Sequence, residues 1–264
     1  MKADNLLDKT FLITGASSGI GSAIAYELAA RGANLIISAR RTEKLKLVAE
    51  KSKQLGAGKV YLFPLDLSIL DQIDRLELFI ENNELTIDGL INSAGFGYSG
   101  NFVQMDFAQV EKMFQVNILG LMYLTQRIAI KMIDQGFGEI INLASLAGKV
   151  ATADYAIYAA TKSAIISFSH ALRLELKDSG VHLTVVNFGP VNTPFFDQIE
   201  KQRREKSLNS YFTLEVEEAA KIVVNSLGKN KREVNRPFIL GMGAIIYQLA
   251  PQFTEKIIVN YFDA

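Results

Sequence analysis

Tyr158 and Lys162 stand four residues apart in a stretch with helical periodicity, so their side chains share one face. A free tyrosine has a pKa of about 10, too high for efficient proton exchange near neutrality. A neighbouring ammonium favours the phenolate and lowers that value. Such a pair can donate and accept a proton, although alone it reads as a core tyrosine beside a solvated lysine. Two further groups sharpen the chemistry. Ser145 ends the segment Asn142-Leu-Ala-Ser145, and its hydroxyl can hydrogen-bond an oxygen of a bound molecule. Asn117 falls inside a long helical stretch, where a buried amide needs a partner. A structural hydrogen bond and a held water both meet that need, and the two are compatible.

A second constellation suits an anion. Thr14-Gly-Ala-Ser-Ser-Gly-Ile-Gly21 lies between an apolar run and an amphipathic one. Its glycines let the chain turn sharply and bring backbone N–H groups close to a pyrophosphate, and the helix that starts there adds partial positive charge. The spacing G-x-x-x-G-x-G differs from the commoner G-x-G-x-x-G, and a turn of this kind can be purely structural. Its place at a first strand–helix junction favours dinucleotide binding, by Gly15, Ser17, Ser18, Gly19, Ile20 and Gly21. The next apolar run ends Ile37-Ser-Ala-Arg-Arg41. An acidic residue there would bond a ribose 2′-hydroxyl. This chain offers Ser38, Arg40 and Arg41 instead, and a guanidinium suits a 2′-phosphate. The expected cofactor is NADP(H) in preference to NAD(H), with Arg40 ahead of Arg41 as phosphate ligand. The alternative is a pair of solvated arginines at a helix start. Asp66, in Leu65-Asp-Leu-Ser68, can accept from an adenine amino group or cap a helix, a role for which Ser68 competes. Leu67 belongs to the same segment. Asn92-Ser-Ala-Gly95 offers Asn92, Ala94 and Gly95 to border the ribose.

These groups lie at the ends of short apolar runs, and the runs alternate with helical patterns. Strands are expected at Thr10–Thr14, Asn34–Ser38, Val60–Pro64, Gly89–Asn92, Glu139–Leu143 and His182–Asn187. Helices are expected at Ile20–Arg31, Thr42–Leu55, Leu70–Glu81, Phe107–Gln135, Tyr155–Asp178 and Glu215–Leu227, the last stopped by Gly228. Strands this uniformly apolar are covered on both faces. The alternation predicts an α/β fold: one Rossmann-like, doubly wound parallel sheet of about seven strands with helices on both faces, its ligands at the carboxyl ends of the strands. The whole chain, 1–264, reads as a single domain. Residues 190–214 break the pattern and suit a substrate loop over a pocket, and the basic run Lys201–Lys206 within them reads as a solvated helix face.

Composition bounds the reading. Lys plus Arg equals Asp plus Glu, 28 each, so no global field points to nucleic acid or to an anionic membrane. With no cysteine, disulfides, thiolate catalysis and thiolate zinc sites are excluded. The two histidines, His170 and His182, form no metal-ligand spacing and read as a helix-surface and a strand-start residue. A Ser-His-Asp hydrolase is not expected. The N-terminus has no apolar signal segment, which suits the cytoplasm. The apolar stretch Phe238–Ala250, interrupted by Pro251, falls short of the ~20 residues of a membrane span. It reads as a substrate lid or subunit contact, with peripheral membrane contact as the alternative.

The motifs together resemble those of the short-chain dehydrogenase/reductase superfamily, in its compact single-domain branch. Thr14–Gly21, Asn92–Gly95, Asn117, Ser145, Tyr158-Ala-Ala-Thr-Lys162 and Gly189-Pro-Val-Asn-Thr193 occur in the family's order. Ser93 stands where the family commonly has asparagine, and Gly189-Pro190 where it often has Pro-Gly. The resemblance implies a carbonyl–alcohol oxidoreductase with a catalytic tetrad of Asn117, Ser145, Tyr158 and Lys162. Hydride would pass between the nicotinamide and the substrate carbon, with Tyr158 exchanging the proton and Ser145 holding the oxygen. Lys162 would bond the nicotinamide ribose, and Asn117 would hold a water in a relay to it. Pro190, Val191 and Thr193 would border the nicotinamide. The resemblance also implies a homodimer or homotetramer built on the two long central helices. Phe96, Tyr98, Phe195 and Phe196 suggest an apolar substrate. A non-catalytic NADP(H) sensor on the same fold is the first rival. A nucleotide-sugar epimerase or dehydratase is the second, disfavoured by the glycine spacing and by the short stretch after Thr193.

Overall fold

The computed structural model describes residues 6–193, 195 and 212–262, with side chains to residue 256, and realises the apolar runs as one parallel sheet. Its strands are β1 (Thr10–Thr14), β2 (Asn34–Ala39), β3 (Val60–Pro64), β4 (Gly89–Asn92), β5 (Gly138–Ser145), β6 (Val181–Phe188) and β7 (Glu233–Arg236), in the order β3-β2-β1-β4-β5-β6-β7. The chain starts at the centre, runs outward to β3, then returns to the other side of β1. The crevice between the ends of β1 and β4 is therefore the point where the strand order reverses, and an open sheet of this kind binds ligands there.

Successive residues of a strand point to opposite faces. Ile13, Leu35, Ile37, Ile91, Ile141 and Val186 pack one core with α1 (Gly19–Ala29), α2 (Thr42–Gln54) and α7 (Val216–Val224). Leu12, Ile36, Leu90, Ile140 and Val185 pack the other core with α3 (Leu70–Asn82), α5 (Leu121–Gln135) and α6 (Ala156–Glu175). Both faces are covered, which is why the central strands lack polar alternation.

Three features differ from the sequence reading. The helix expected across Phe107–Gln135 is α4 (Phe107–Phe114), a π-helical turn (Gln115–Gly120) and α5, closed by Gly136 in the left-handed conformation (φ 76°). Long-range packing imposes the wider turn: a Cβ on Gly120 would stand 2.1 Å from the Leu67 carbonyl oxygen, and Asn117 bonds the Phe96 backbone. Such turns mark functional sites in many helices. The seventh strand, β7, is the polar segment Glu-Val-Asn-Arg at the sheet edge, where hydrophobicity gives no signal. The apolar C-terminus forms α8 (Phe238–Leu249) and α9 (Pro251–Phe262), with Pro251 opening the second helix. Lys201–Lys206 and Phe196 lie outside the described residues.

The polar edge carries a charge cluster. The Glu233 carboxylate meets the Lys149 ammonium, with His170 Nε2 at 2.7 Å and Asn235 Nδ2 at 3.2 Å. Burial works against the charge on Glu233, but Lys149, Asn235 and His170 together hold its carboxyl below the ordinary glutamate value. An Arg232 guanidinium nitrogen lies 2.9 Å from His170 Nδ1. Guanidinium can only donate, so Nδ1 accepts and the neutral ring carries its proton on Nε2, facing Glu233. Burial, followed by the charge of Arg232, holds the His170 pKa below its ordinary value. The unfolded chain therefore takes up a proton below a pH of about 6.5 that the native ring resists, and stability falls as pH drops through that window. The depressed Glu233 pKa extends the loss at lower pH, where its carboxylate is finally protonated. Melting temperature should fall on going from pH 7.5 to pH 5, and His170→Gln should flatten part of that fall. A wild-type and variant slope that coincide would refute the role given to His170.

Candidate active site

The glycine turn is built by close approach. Thr14, the last residue of β1, accepts hydrogen bonds at Oγ1 from the backbone N–H groups of Ser93 (3.2 Å) and Ala94 (3.1 Å), which ties the ends of β1 and β4 together. Gly15 and Gly19 hold φ values of 69° and 57°, and a Cβ on Gly21 would lie 2.4 Å from the Gly15 carbonyl oxygen. No side chain fits in that contact, and only glycine adopts those angles without strain. The first turn of α1 contains no acidic residue, and Ser18 makes no side-chain cap bond. Its backbone N–H groups are thus left to a ligand at the positive end of the helix.

The end of β2 supplies the rest of this half. Ser38 is buried and lines the cleft, with Oγ lacking a protein hydrogen-bond partner. Arg41 lies against the glycine turn: Nη2 donates to Ser17 Oγ (2.9 Å) and Ser18 Oγ (2.6 Å). Arg40 reaches the other way, with Nη1 3.9 Å from Asp66 Oδ2. The order of preference between the two arginines drawn from sequence is thus not reflected in the geometry, which sets Arg41 nearer the turn. Asp66 Oδ1 accepts from Ser68 N (3.0 Å) and Ser68 Oγ (2.7 Å). Burial opposes the Asp66 charge, but the Ser68 hydrogen bonds and the Arg40 and Lys112 charges hold its pKa below the usual aspartate value. Lys44, in the first turn of α2, joins this rim and was missed; its spacing of three from Arg41 was the available signal.

At the other end, β5 delivers Ser145 and α6 delivers Tyr158 and Lys162. Ser145 Oγ donates to the Phe188 carbonyl (3.2 Å) and accepts from Ala147 N (3.1 Å). Tyr158 lies in the first turn of α6, its ring centroid 5.9 Å from that of Phe195. One turn on, Lys162 Nζ stands 5.7 Å from the Tyr158 ring centroid and donates to the Leu143 carbonyl (3.2 Å). Burial lowers the pKa of that amine to about 8. After β6, Val191 bridges Leu214, and the methyl group of Thr193 would lie 3.5 Å from a Cβ on Gly19. The segment therefore reaches across the cleft to the glycine turn.

Gly15, Ser17, Ser18, Gly19, Ile20, Gly21, Ser38, Arg40, Arg41, Asp66, Leu67, Ala94, Gly95, Ser145, Tyr158, Lys162, Pro190, Val191 and Thr193 all line one cleft of about 1720 Å³. Asn92 and Asn117 are not among its lining residues. Asn92 Nδ2 donates to Thr125 Oγ1 (2.9 Å) and Asn142 Oδ1 (2.8 Å), because strand alternation turns its side chain into the core beneath the cleft. Asn117 Oδ1 accepts from Phe96 N (3.1 Å), and Nδ2 donates to Phe96 O (2.9 Å) and Thr161 Oγ1 (3.3 Å). Its amide braces the Gly95–Phe96 backbone against α6. The apolar C-terminal stretch, read from sequence as a substrate lid or subunit contact, contributes Leu240, Gly243, Ala244 and Tyr247 of α8 to the lining of the same cleft.

Other chemistries find no support among the described residues. Gly15-Ala-Ser-Ser-Gly19 has, by spacing alone, the pattern of a hydrolase nucleophile elbow. Ser17 instead accepts from Arg41, and no histidine lines the cleft. Among the described residues no group of three metal-ligating side chains occurs, and no helix is long and apolar enough to cross a membrane.

The short chain dehydrogenase profile matches residues 9–204. An uncharacterized oxidoreductase of Staphylococcus aureus (strain USA300) is 33% identical over 226 residues, covering 86% of this chain and 94% of its own. The 11-beta-hydroxysteroid dehydrogenase-like 3 of Arabidopsis thaliana is 32% identical over 259 residues, covering 96% and 81%. Among solved structures, a short-chain dehydrogenase from Sphingobium yanoikuyae in complex with NADPH superposes with a TM-score of 0.79 at 27% identity, over 94% of this chain and 95% of that one. The chain belongs to the short-chain dehydrogenase/reductase family, oxidoreductases that act on CH–OH groups with a nicotinamide cofactor.

The glycine turn gives the first test of the site. Gly21→Ala places a Cβ inside van der Waals contact with Gly15 O and should weaken dinucleotide binding at least ten-fold, measured by calorimetry. Far-UV circular dichroism should stay native, since the clash is confined to the turn. Undiminished affinity would remove this turn from the binding site.

Proposed function

We propose that this protein interconverts an apolar ketone and its secondary alcohol with NADP(H), using Tyr158 as proton donor and acceptor. The observation that carries the reading is a buried amine of depressed pKa, Lys162, placed against Tyr158 in the same cleft as the glycine turn. The residues present fit a phosphorylated dinucleotide: the glycine turn at an uncapped helix start, the unpartnered Ser38 hydroxyl, and two arginines with no acidic residue at the end of β2. The Sphingobium yanoikuyae relative holds NADPH. Gly15–Gly21, Ser38, Arg40, Arg41, Asp66, Leu67, Ala94, Gly95, Pro190, Val191 and Thr193 would hold it. When bound, the nicotinamide supplies or accepts the hydride.

The chain's own groups manage the oxygen. Ala147 N keeps donating to Ser145 Oγ when the Ser145 hydroxyl proton turns from Phe188 O to a substrate oxygen, so that oxygen meets a polarised donor. In reduction Tyr158 gives its proton to the same oxygen. The resulting phenolate faces the Lys162 ammonium, whose interaction with it is strengthened by exclusion of water. Asn117 keeps the Gly95–Phe96 backbone in place over Lys162 and acts as a positioning residue. Exposed Leu119, Ile130 and Ile133, on the π turn and α5, support self-association through the central helices.

Tyr158→Phe should retain NADPH binding and lose turnover at least 100-fold, the lower range of general acid–base contributions. Undiminished turnover would sink the mechanism; retained binding in a wild type that reduces nothing would favour a sensor. Arg40→Ala and Arg41→Ala should each lower the ratio of NADPH to NADH affinity at least ten-fold, since each removes a cation facing the 2′-phosphate. A wild-type preference for NADH in titrations would overturn the cofactor assignment.

A further inference from the structure

The face that α8 turns to the cleft is uneven. Leu240 and Tyr247 line it at either end, with Gly243 and Ala244 between them. The two glycines of α8 are there for different reasons. A Cβ on Gly241 would lie 2.8 Å from Asn235 Cβ, so helix–strand packing holds that position small. A Cβ on Gly243 would meet no atom within 4 Å among the described residues, and its φ is not in the left-handed region. Neither the backbone nor packing calls for glycine there, and a mid-helix glycine destabilises a helix relative to alanine. Gly243 is exposed and is one of the residues that line the cleft that holds Tyr158.

Among the described residues, the charges that line the cleft divide between its two ends. Arg40, Arg41 and Lys44 sit at the dinucleotide half, beside the glycine turn and α2. At the α8 end the charged lining groups are Asp154 and Glu255, and Glu255 accepts from the Tyr247 hydroxyl at 2.9 Å. That hydrogen bond ties α9 to α8 at the edge of the notch. From Leu240 to Tyr247 spans roughly 10 Å at 1.5 Å per helical residue.

We propose that the gap at Gly243 is the specificity-determining feature of the substrate pocket. It receives the hydrocarbon portion of an uncharged ketone or alcohol extending several carbons beyond the reacting carbon. The gap rejects short ketones for lack of buried area and anionic ones because Asp154 and Glu255, the charged groups described beside it, are negative. The inference rests on the oxidoreductase reading above. Each methylene buried in the notch contributes about three- to four-fold in affinity.

The test uses the full chain loaded with NADPH and three probes: 2-butanone, 2-octanone and 7-oxooctanoate, the anionic counterpart of 2-octanone. Wild type should favour 2-octanone over each of the others at least ten-fold in kcat/KM. Gly243→Leu should lower the 2-octanone to 2-butanone ratio at least ten-fold, chiefly through KM. Gly243→Ala should melt no lower than wild type, whereas a glycine required by the fold would make it melt lower. Binding is read separately, from the shift in melting temperature that each probe produces. A probe that shifts melting without turnover defeats the redox reading and leaves the notch standing. Equal shifts by 2-octanone in wild type and Gly243→Leu defeat the notch whatever the turnover, as does a wild type indifferent to chain length or charge. Absence of any shift or turnover with all three ketones overturns it as well.

Discussion

The site depends on keeping the Lys162 amine out of water. A buried ammonium loses hydration, and the protein returns little of it: one hydrogen bond to the Leu143 carbonyl and the facing ring of Tyr158. That imbalance depresses the lysine pKa and leaves its charge available to a phenolate. Small residues make the burial feasible. A Cβ on Gly148 would stand 2.7 Å from the Lys162 carbonyl carbon, and one on Gly95 would stand 3.2 Å from Asn117 Oδ1, beside the lysine. The loop after β5 and the loop after β4 can therefore both close on α6 at the level of the lysine. Ser145, at the start of one loop, and the Ala94–Gly95 backbone of the other are positioned by the same closure.

Much of this was legible in the sequence because its signals are local. The glycine turn, Ser145 at a strand end, and Tyr158 and Lys162 on one helical turn follow from spacing alone. Six of the strands coincide closely with their apolar runs, since strands covered on both faces are largely apolar. Features set by distant contacts were not legible. The π turn at Gln115–Gly120 is imposed by Leu67 and Phe96, which lie far away in sequence. The polar strand β7 exists because β6 offers an edge, and its composition alone suggests a loop. The partners of Asn92 and Asn117 could not be read either, because a buried amide announces only that it needs a partner.

The C-terminus shows a different limit. Its apolarity was plain, but apolarity does not say which surface it covers. In the structure one face of α8 closes the cleft, while Phe238, Met242, Ile245 and Leu249 stay exposed on the rest of the helix. The lid and subunit-contact readings are therefore not exclusive.

The asparagines at the strand ends explain how the loops that line the cleft keep their relative heights. Asn92 is in register with Asn142, and Asn187 with Asn235, and each pair is joined by a hydrogen bond of 2.8 Å. Asn142 continues inward to Ser169 at 2.8 Å, and Asn92 to Thr125. A one-residue slip of either strand pair would separate these amides and turn them against the opposite, apolar face. A buried amide without a partner costs about 1–3 kcal/mol, far more than the loss of one solvent-exposed contact. The register is thus fixed just beneath the cleft floor. Thr14 aligns with Asn92, and Ser145 aligns with Phe188, the residue whose carbonyl accepts from its hydroxyl. In this way the layer sets the spacing between the glycine turn and Ser145, Tyr158 and Lys162.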